Sequence, residues 1–218
     1  MERVQDGLLL MQTTNREGFE RAIRPYFLPS EFKAIMQAYR LSKYGHRAQM
    51  REGGIRYFEH PKVLALLLVR LGVRDAAVII AALLHDAIED SFILELEDVE
   101  DWFGGDACHT VHVLTKDPKE KLSLAQYFAR LLDGGFRGLL VKLADRLHNM
   151  STLADSDDPE KHEKFRQKKI KQSAETREYV LPLAEALMQV KGCEKLGAWF
   201  YDQLIAWCEI REAEVAAA

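Results

Sequence analysis

The segment AALLHDAIED (residues 81–90) is where residue types and spacing first predict chemistry. Its apolar run meets one imidazole and three carboxylates, at His85, Asp86, Glu89 and Asp90. Because residues three and four apart are neighbours on a helix, these groups would crowd one side of about one and a half turns. Carboxylates packed together repel one another and are costly to bury without a cation among them. Alone, the segment leaves three interpretations open: a metal site, a solvated helix end, or a histidine satisfied in the core.

Two further segments show the same anomaly. In VKLADRLHNM, Asp145 and Asn149 lie among leucines with a buried pattern, although a polar helix edge would also give this spacing. In HPKVLALLL, His60 opens an apolar helix, where a histidine on its own more often caps the helix. Together, three helices would supply two imidazoles and two carboxylates, a set that suits one divalent metal with positions left for water. The candidate ligands are His60, His85, Asp86 and Asp145.

Helices must position these groups, and the sequence predicts an all-α protein. The 218 residues include only 13 glycines and 6 prolines, and apolar residues recur at helical spacing. We interpret the chain as one bundle with a leader of short helical turns over residues 1–29, a main helical domain over 30–190 and a C-terminal helix over 191–218 packed on it. The first predicted helix of the main domain begins at Ser30, and a later one ends at Gly134. Further helices are predicted over Pro61–Gly72, Asp75–Glu89, Asp106–Lys116, residues 138–153 and Glu163–Gln189, the last of these with a kink at Pro182. The C-terminal helix carries an apolar stripe from Leu196 to Trp207.

Charge and cysteine content narrow the partners and the location. The net charge is -4 and no basic stripe dominates, so nucleic acid is not expected as the main partner, whereas a small anionic ligand is compatible. The three cysteines are far apart and form no paired motif, which favours a reducing cytosol. No apolar run approaches the roughly 18 to 20 residues of a membrane span, and none suits a signal peptide. We expect a soluble cytoplasmic protein with no membrane partner, and its oligomeric state stays open.

The candidate residues lie in segments that occur in the order and near the spacing of a known family. The segments are REGGIRYFEHP (51–61), LLHDAIEDS (83–91), FGGD (103–106) with VLTK (113–116), VKLADRLHNMSTL (141–153) and ETREYVLPLA (175–184). On these segments the chain resembles the HD-domain phosphohydrolases, and more narrowly the hydrolase domain of the RelA/SpoT family and the small alarmone hydrolases. The resemblance implies an all-α, multi-helix bundle around a buried metal site. The stretch after residue 190 is too short for the synthetase domain of the bifunctional members, so a stand-alone hydrolase is expected.

The resemblance also implies a role for each candidate residue. The four candidate ligands match the family's metal ligands, and the metal in this family is usually manganese. Glu89 and Asp90 match the acidic pair that positions and activates the attacking water. Arg51 matches the arginine that packs on the substrate base, and Asn149 and Thr152 match residues near the nucleoside. The implied reaction removes the 3′-pyrophosphate from guanosine tetra- or pentaphosphate and gives GDP or GTP and pyrophosphate.

The loop before His60 departs from the family pattern. GIRY stands where a Gly-Glu-Pro-Tyr-like loop is usual, and Glu52 follows Arg51 where a basic residue is common. Glu52 would repel a 5′-phosphate, and Arg56 would replace the lost charge as a substrate contact. A second hypothesis is therefore an HD phosphohydrolase for another nucleotide, such as an adenosine alarmone or a 3′-phosphorylated cofactor. A third is a regulatory binding module that keeps the fold, although the retained acidic pair argues against it.

Overall fold

The computed structural model describes residues 2–52, 54–90, 94–116, 120–153 and 159–217. Regular structure in these ranges is helical, apart from one isolated antiparallel β-bridge between Met50 and Arg56. The prediction of an all-α protein is therefore confirmed. No helix in the described ranges is both long enough and apolar enough to cross a membrane.

The described helices include those predicted from the apolar periodicity, in the same order, but the predicted helices Asp75–Glu89 and Glu163–Gln189 are both interrupted, and the helix Leu96–Phe103 was not predicted. In chain order they are α1 (Glu2–Leu10), α2 (Arg16–Ile23), α3 (Pro29–Gly45), α4 (Glu59–Arg70), α5 (Ala76–Leu84), α6 (Ala87–Asp90), α7 (Leu96–Phe103), α8 (Gly105–Leu114), α9 (Leu124–Asp133), α10 (Phe136–Ser151), α11 (Pro159–Glu175), α12 (Leu181–Met188) and α13 (Glu194–Ala217). A short 3-10 turn, Arg24–Tyr26, follows α2, and a π-helix, Thr176–Val180, joins α11 to α12.

The helices form two compact units. The central unit comprises Leu10–Lys142, and the terminal unit comprises Met1–Leu9 together with Leu143–Ala218. Helix α10 contributes residues to both units because the division falls within it. The leader, domain and C-terminal boundaries drawn from the sequence stay a prediction.

Helix α5 forms the middle of the central unit. It packs against α3, α4 and α8, and its residues from Val78 to Leu84 are all buried. A helix that is apolar on every side is stable when neighbouring elements cover every side. This packing explains why the segment AAVIIAALL carries no polar face.

Local signals end α4 and begin α5. Gly72 has φ +92°, its amide donates to the Val69 carbonyl, and the following amide donates to the Leu68 carbonyl. A left-handed glycine with this pair of bonds is a common helix ending, so Gly72 stops α4 as predicted. The carboxylate of Asp75 then accepts two amides from the first turn of α5, at 2.9 and 3.4 Å. These bonds satisfy amide hydrogens that a helix start leaves without helical partners.

The prediction of one continuous helix over Asp75–Glu89 is wrong near its end. A turn at His85 and Asp86 separates α5 from α6. The Nδ1 atom of His85 lies 3.0 Å from the carbonyl oxygen of Ala82. The amide of residue 86 would need this same carbonyl to continue an α-helix, so the side chain competes with the helical hydrogen bond.

Helix α13 packs along α11 and α12 in the terminal unit. Of its predicted apolar stripe, Phe200, Leu204 and Trp207 are buried. Leu196 and Trp199 are half-buried. The stripe therefore covers the core of this unit, as predicted, most completely in the middle of the helix.

A π-helix lies where the sequence predicted a kink at Pro182. The amide of Leu181 donates to the carbonyl of Thr176, five residues earlier. Proline lacks an amide hydrogen, and its ring clashes with the carbonyl four residues before it, which here belongs to Glu178. That carbonyl lies inside the wider π turn, which accommodates the proline while the helical run continues.

Candidate metal centre

Three of the predicted ligands meet in the central unit. His60, His85 and Asp86 each offer one ligand atom, and these atoms lie within 4.8 Å of one another. The Oδ2 atom of Asp86 is 3.1 Å from Nε2 of His85 and 3.9 Å from Nε2 of His60. The imidazole rings meet edge to face with centroids 5.3 Å apart. Both rings are buried and Asp86 is partly exposed, so buried nitrogen donors face a more accessible carboxylate.

A hydrogen bond to the backbone fixes the tautomer of His85. Its Nδ1 atom lies 3.0 Å from the carbonyl oxygen of Ala82. A carbonyl oxygen only accepts, so Nδ1 carries the hydrogen and Nε2 of the neutral ring presents a lone pair. Metal-ligating histidines commonly donate their other ring hydrogen in this way, because the bond fixes the tautomer and the ring orientation.

His60 is positioned by the backbone of the α3–α4 loop (residues 46–52 and 54–58). Within this loop, the Tyr57 amide donates to the Gln49 carbonyl at 3.0 Å and the Arg51 amide to the Ile55 carbonyl at 2.8 Å. The amide of His60 then donates to the carbonyl of Tyr57 at 2.9 Å, at the first turn of α4. This paired backbone leads directly into the ligand and fixes where its side chain begins.

The donor set fits a divalent cation. Two ligand atoms held about 2.1 Å from one ion lie about 3.0 Å apart at a right angle and about 4.2 Å apart on opposite sides. The distances of 3.1 and 3.9 Å from the Asp86 oxygen to the two imidazole nitrogens fall in this range. Neutral imidazole and carboxylate together suit the first-row divalent metals. His60, His85 and Asp86 would hold the ion in this unit.

Tyr57 belongs to the cluster and was missed by the sequence analysis. Its hydroxyl donates to Oδ2 of Asp86 at 2.7 Å, and its ring stacks on that of His46 with centroids 4.7 Å apart. A single tyrosine in a loop has no periodic pattern that marks it. The available signal was its position three residues before His60, where a polar aromatic side chain would reach toward the same buried region.

Asp145 and Asn149, on α10, belong to the terminal unit. Asp145 is buried, and its Oδ1 atom accepts a hydrogen bond from the Asn149 amide group at 2.6 Å. The predicted i, i+4 neighbours on this helix are thus in contact. The roles of Asp145 as a fourth ligand and of Asn149 near the nucleoside stay predictions.

Other predicted site residues lie on α6 and at the end of α10. Glu89 and Asp90 belong to α6, and their side chains lie outside the described part of the structure. Thr152 is an exposed residue, and its hydroxyl donates to the carbonyl of His148 at 2.8 Å, at the end of α10. The predicted contact of Thr152 with the nucleoside stays a prediction.

The two predicted substrate arginines lie on the α3–α4 loop. Arg51 is half-buried, and its guanidinium carbon is 6.0 Å from the ring centroid of Tyr57. Arg56 is exposed and pairs through its backbone with Met50. The loop therefore carries two cations beside a residue that contacts a proposed metal ligand.

The first turn of α4 is also anchored by Glu59. Burial raises the pKa of this carboxyl, but hydrogen bonds from Lys62 and Thr13 outweigh burial and leave the pKa below its usual value. The Nζ atom of Lys62 lies 2.7 Å from one Glu59 oxygen, and the Thr13 hydroxyl donates at 2.6 Å. The positive charge of Arg56 lowers the same pKa further. Glu59 therefore stays ionised and holds the start of the ligand-bearing helix.

Comparison with protein families identifies the domain that carries this cluster. The family described as the HD domain matches residues 38–172. The chain belongs to the HD domain family. The matched residues, 38–172, include the three residues of the cluster as well as Asp145. A divalent metal is implied for an HD domain, in agreement with the donor set.

This HD domain chain is similar to much longer bacterial proteins. It is 32% identical over 179 residues to the bifunctional (p)ppGpp synthase/hydrolase SpoT of Escherichia coli strain K12, covering 78% of the chain and 24% of SpoT. It is 36% identical over 192 residues to a probable guanosine-3′,5′-bis(diphosphate) 3′-pyrophosphohydrolase of Synechocystis, covering 84% of the chain and 23% of that protein. The chain thus spans about a quarter of the length of these curated relatives.

A solved structure is also similar to this chain. It belongs to a metazoan ortholog of SpoT that hydrolyses ppGpp and plays a role in starvation responses. The match has a TM-score of 0.51 and 27% sequence identity, and it covers 73% of this chain and 96% of that chain. The match therefore spans nearly the whole of that solved chain.

Proposed function

We propose that this HD domain removes the 3′-pyrophosphate from guanosine tetra- or pentaphosphate and gives GDP or GTP and pyrophosphate. Water attacks the phosphorus atom bonded to the ribose 3′ oxygen, that ester bond breaks, and the 3′ oxygen leaves as a hydroxyl. The observation that carries the proposal is the buried pair of imidazole nitrogens facing one carboxylate oxygen at 3.1 and 3.9 Å. Relatives with this activity in their names, matched across most of the chain, support the choice of substrate.

The chain's own side chains supply the ion site in this proposal. His60 and His85 present nitrogen donors, and Asp86 presents an oxygen donor. A divalent metal held by these three residues would supply activation of the attacking water and neutralisation of charge on the reacting phosphate. The buried rings exclude bulk water from one side of the site and keep the donors in place. The carboxylate is the more accessible donor and marks the side from which substrate would enter.

We assign the water-positioning role to Glu89 and Asp90 on the strength of their match to the family's acidic pair. Their helix, α6, begins directly after Asp86, so the chain carries both residues within about one turn of a proposed ligand. A carboxylate beside the attacking water accepts its proton as the new P–O bond forms. The proton lost by water is thereby balanced by the proton that the leaving 3′ oxygen gains.

We assign recognition of the nucleotide to residues of the α3–α4 loop and of α10. Arg51 would stack on the base, because a planar guanidinium packs well on an aromatic ring. Arg56 would meet the 5′-phosphates, and Asn149 and Thr152 would lie near the nucleoside. The position of Arg51 near the Tyr57 ring supports its preference for aromatic surfaces.

Manganese is the metal that we propose, and a cytoplasmic location is part of the same proposal. Carboxylate ligands suit Mn²⁺ and imidazoles suit several first-row metals, so the choice of Mn²⁺ rests on the resemblance to a family that usually uses manganese. The three cysteines are free, as expected in a reducing compartment. We propose a small-molecule nucleotide as the ligand and no nucleic-acid partner.

Product analysis tests the proposal. The purified chain is incubated with Mn²⁺ and guanosine tetraphosphate, and the products are separated by anion-exchange chromatography. We expect GDP and pyrophosphate in equal amounts, and no turnover once EDTA has removed the metal. Release of orthophosphate, or an unchanged substrate in the presence of Mn²⁺, would contradict the assignment.

A second candidate is hydrolysis of a different nucleotide by the same site. The observation that favours it is Glu52, an exposed acidic residue beside Arg51. Replacing guanosine by adenosine in the assay decides between them, because equal cleavage would remove the guanosine preference.

In the guanosine reaction, Arg56→Ala should raise KM about tenfold or more for the tetraphosphate, since it removes a charged contact, and much less for an analogue without 5′-phosphates. Arg40→Ala, an exposed arginine on α3, is the control.

A further inference from the structure

We propose that Tyr57 is a positioning residue that holds Asp86 in the orientation required to bind the metal. The inference deepens the proposed function because it rests on the same metal site. It requires no particular nucleotide, so it can be tested with the metal alone.

The hydrogen bond from Tyr57 reaches the ligand oxygen itself. The hydroxyl lies 2.7 Å from Oδ2 of Asp86, and this is the oxygen 3.1 Å from Nε2 of His85. A carboxylate oxygen has two lone pairs, so one can accept the phenol hydrogen while the other faces a cation. The phenol bond therefore directs the second lone pair toward the imidazole nitrogens.

Asp86 needs such a partner because the chain is a turn at this point. Helices α5 and α6 are interrupted at His85 and Asp86, so a continuous helical backbone does not set the direction of this carboxylate. The side chain is also partly exposed, with 23% of its surface accessible, and could rotate among its staggered conformations. A charge-assisted hydrogen bond from a fixed phenol selects one of them.

The Tyr57 phenol has a fixed position because its ring stacks on another ring. His46 is buried and stacks on Tyr57 with a centroid distance of 4.7 Å. The Nδ1 atom of His46 lies 2.6 Å from the Gln49 side-chain oxygen. The Tyr57 amide donates a hydrogen bond to the Gln49 carbonyl, and the Tyr57 carbonyl accepts one from the His60 amide. Ring and backbone of Tyr57 are thus both constrained within the α3–α4 loop.

The same loop therefore connects two proposed ligands. The carbonyl of Tyr57 accepts a hydrogen bond from the amide of His60, and the hydroxyl of Tyr57 donates one to the carboxylate of Asp86. Residues that orient metal ligands from outside the coordination sphere typically contribute 10- to 100-fold to metal affinity. Loss of the hydroxyl alone should reduce Mn²⁺ affinity by roughly this factor.

The experiment measures Mn²⁺ binding from the electron paramagnetic resonance signal of the free ion, without nucleotide. Wild type is compared with Tyr57→Phe, which keeps the stacked ring, and with Tyr44→Phe, the same change at an exposed tyrosine of α3. We expect Tyr57→Phe to weaken Mn²⁺ binding about 10- to 100-fold and Tyr44→Phe to leave it unchanged. His46→Ala, which keeps the phenol but removes its support, should weaken binding by a smaller factor.

Thermal melting of the metal-free proteins separates positioning from general stability. A positioning role requires Tyr57→Phe to melt close to wild type while its Mn²⁺ affinity falls. Equal Mn²⁺ affinity in wild type and Tyr57→Phe would overturn the proposal, as would a loss of affinity that merely accompanies a lower metal-free melting temperature. Absence of Mn²⁺ binding by wild type would also overturn it. Failure to cleave guanosine tetraphosphate, with these affinities as expected, would instead reject only the substrate.

Discussion

Nε2 of His85 lies 3.1 Å from Oδ2 of Asp86, and the opposite nitrogen of the same ring is engaged by the Ala82 carbonyl. In the neutral ring, two lone pairs would then face each other across this gap. Such an arrangement is stable when a cation lies between the two atoms, either a proton on the imidazole or a metal ion. The first prediction follows directly from this contact.

His85→Ala should remove most of the bound metal. It deletes one buried donor and leaves the remaining ligands with an incomplete coordination set. Elemental analysis of protein equilibrated with Mn²⁺ should show about one ion per wild-type chain and much less in the variant. His162→Ala, at an exposed histidine of α11, is the control and should keep wild-type content. The rise in melting temperature on adding Mn²⁺ should also disappear in His85→Ala, because a bound ligand stabilises only a protein that binds it.

Glu89→Gln should separate metal binding from turnover. If Glu89 orients or deprotonates the attacking water, the amide should lower kcat by roughly 10²-fold or more and leave Mn²⁺ content intact. Glu185→Gln, an exposed carboxylate on α12, should have neither effect. Wild-type kcat in Glu89→Gln would assign this role to another group, with Asp90 the next to test.

Arg211→Met should destabilise the terminal unit. Arg211 is buried, donates twice to the carbonyl of Met150 and pairs with Glu214, which also contacts the buried Lys169. Removing the guanidinium takes a charged donor from a buried carbonyl, at a cost of about 2 to 4 kcal/mol. The measurement is the midpoint of urea unfolding.

The exposed Arg177–Glu212 pair provides the matched control for this substitution. Its two side chains are 41% and 46% exposed, and its nitrogen–oxygen distance is 2.8 Å. Because water and salt screen such a pair, Arg177→Met should cost less than about 1 kcal/mol. Equal shifts in the two variants would show that burial of Arg211 contributes nothing beyond a surface ion pair.

Cys208 should be the slowest of the three thiols to react. Burial raises its pKa from 9.0 to about 11, and its side chain is fully buried, whereas Cys108 and Cys193 are half-buried. The thiolate is the reactive species, so a thiol-specific chromogenic reagent at pH 8 should modify Cys208 only after unfolding. Rapid modification of all three cysteines in the native protein would contradict the burial of Cys208.

The same raised pKa has a consequence for stability at alkaline pH. Because the folded state favours the protonated thiol, its contribution to stability is fully present below the unfolded pKa near 9 and is lost as the pH rises toward about 11. Cys208→Ser would test the sign, since removing the thiol should flatten this alkaline loss. The comparison is the urea midpoint at neutral pH and at about pH 10 for each protein.

The sequence predicted which three residues meet in the candidate metal centre better than it predicted the geometry that joins them. His60 and His85 stood out because imidazoles interrupt apolar helices, a pattern visible without coordinates. The break between α5 and α6 was missed because it depends on the His85 side chain competing for a backbone carbonyl. Periodicity describes which side of a helix a residue faces, and it contains no information on such local competition.

Tyr57 and Arg211 show why polar contacts between elements are hard to predict from one sequence. Tyr57 reaches a carboxylate 29 positions later, and Arg211 reaches a carbonyl 61 positions earlier. Neither partner is marked by spacing, because both contacts form only once separate elements pack. Most of the helices were predictable, since glycines and capping residues such as Gly72 and Asp75 end and begin them locally, but α7 was not predicted.

The π-helix before Pro182 has a consequence for how this chain is aligned with its relatives. A turn closed over five residues contains one residue more than the regular α-helical spacing allows. Each residue of an α-helix advances the direction of the side chains by about 100°. Alignment with a relative whose helix is uninterrupted therefore requires a one-residue gap between Thr176 and Val180. Without that gap, every residue from Leu181 to Met188 would be compared with a neighbour that faces a different side of the helix.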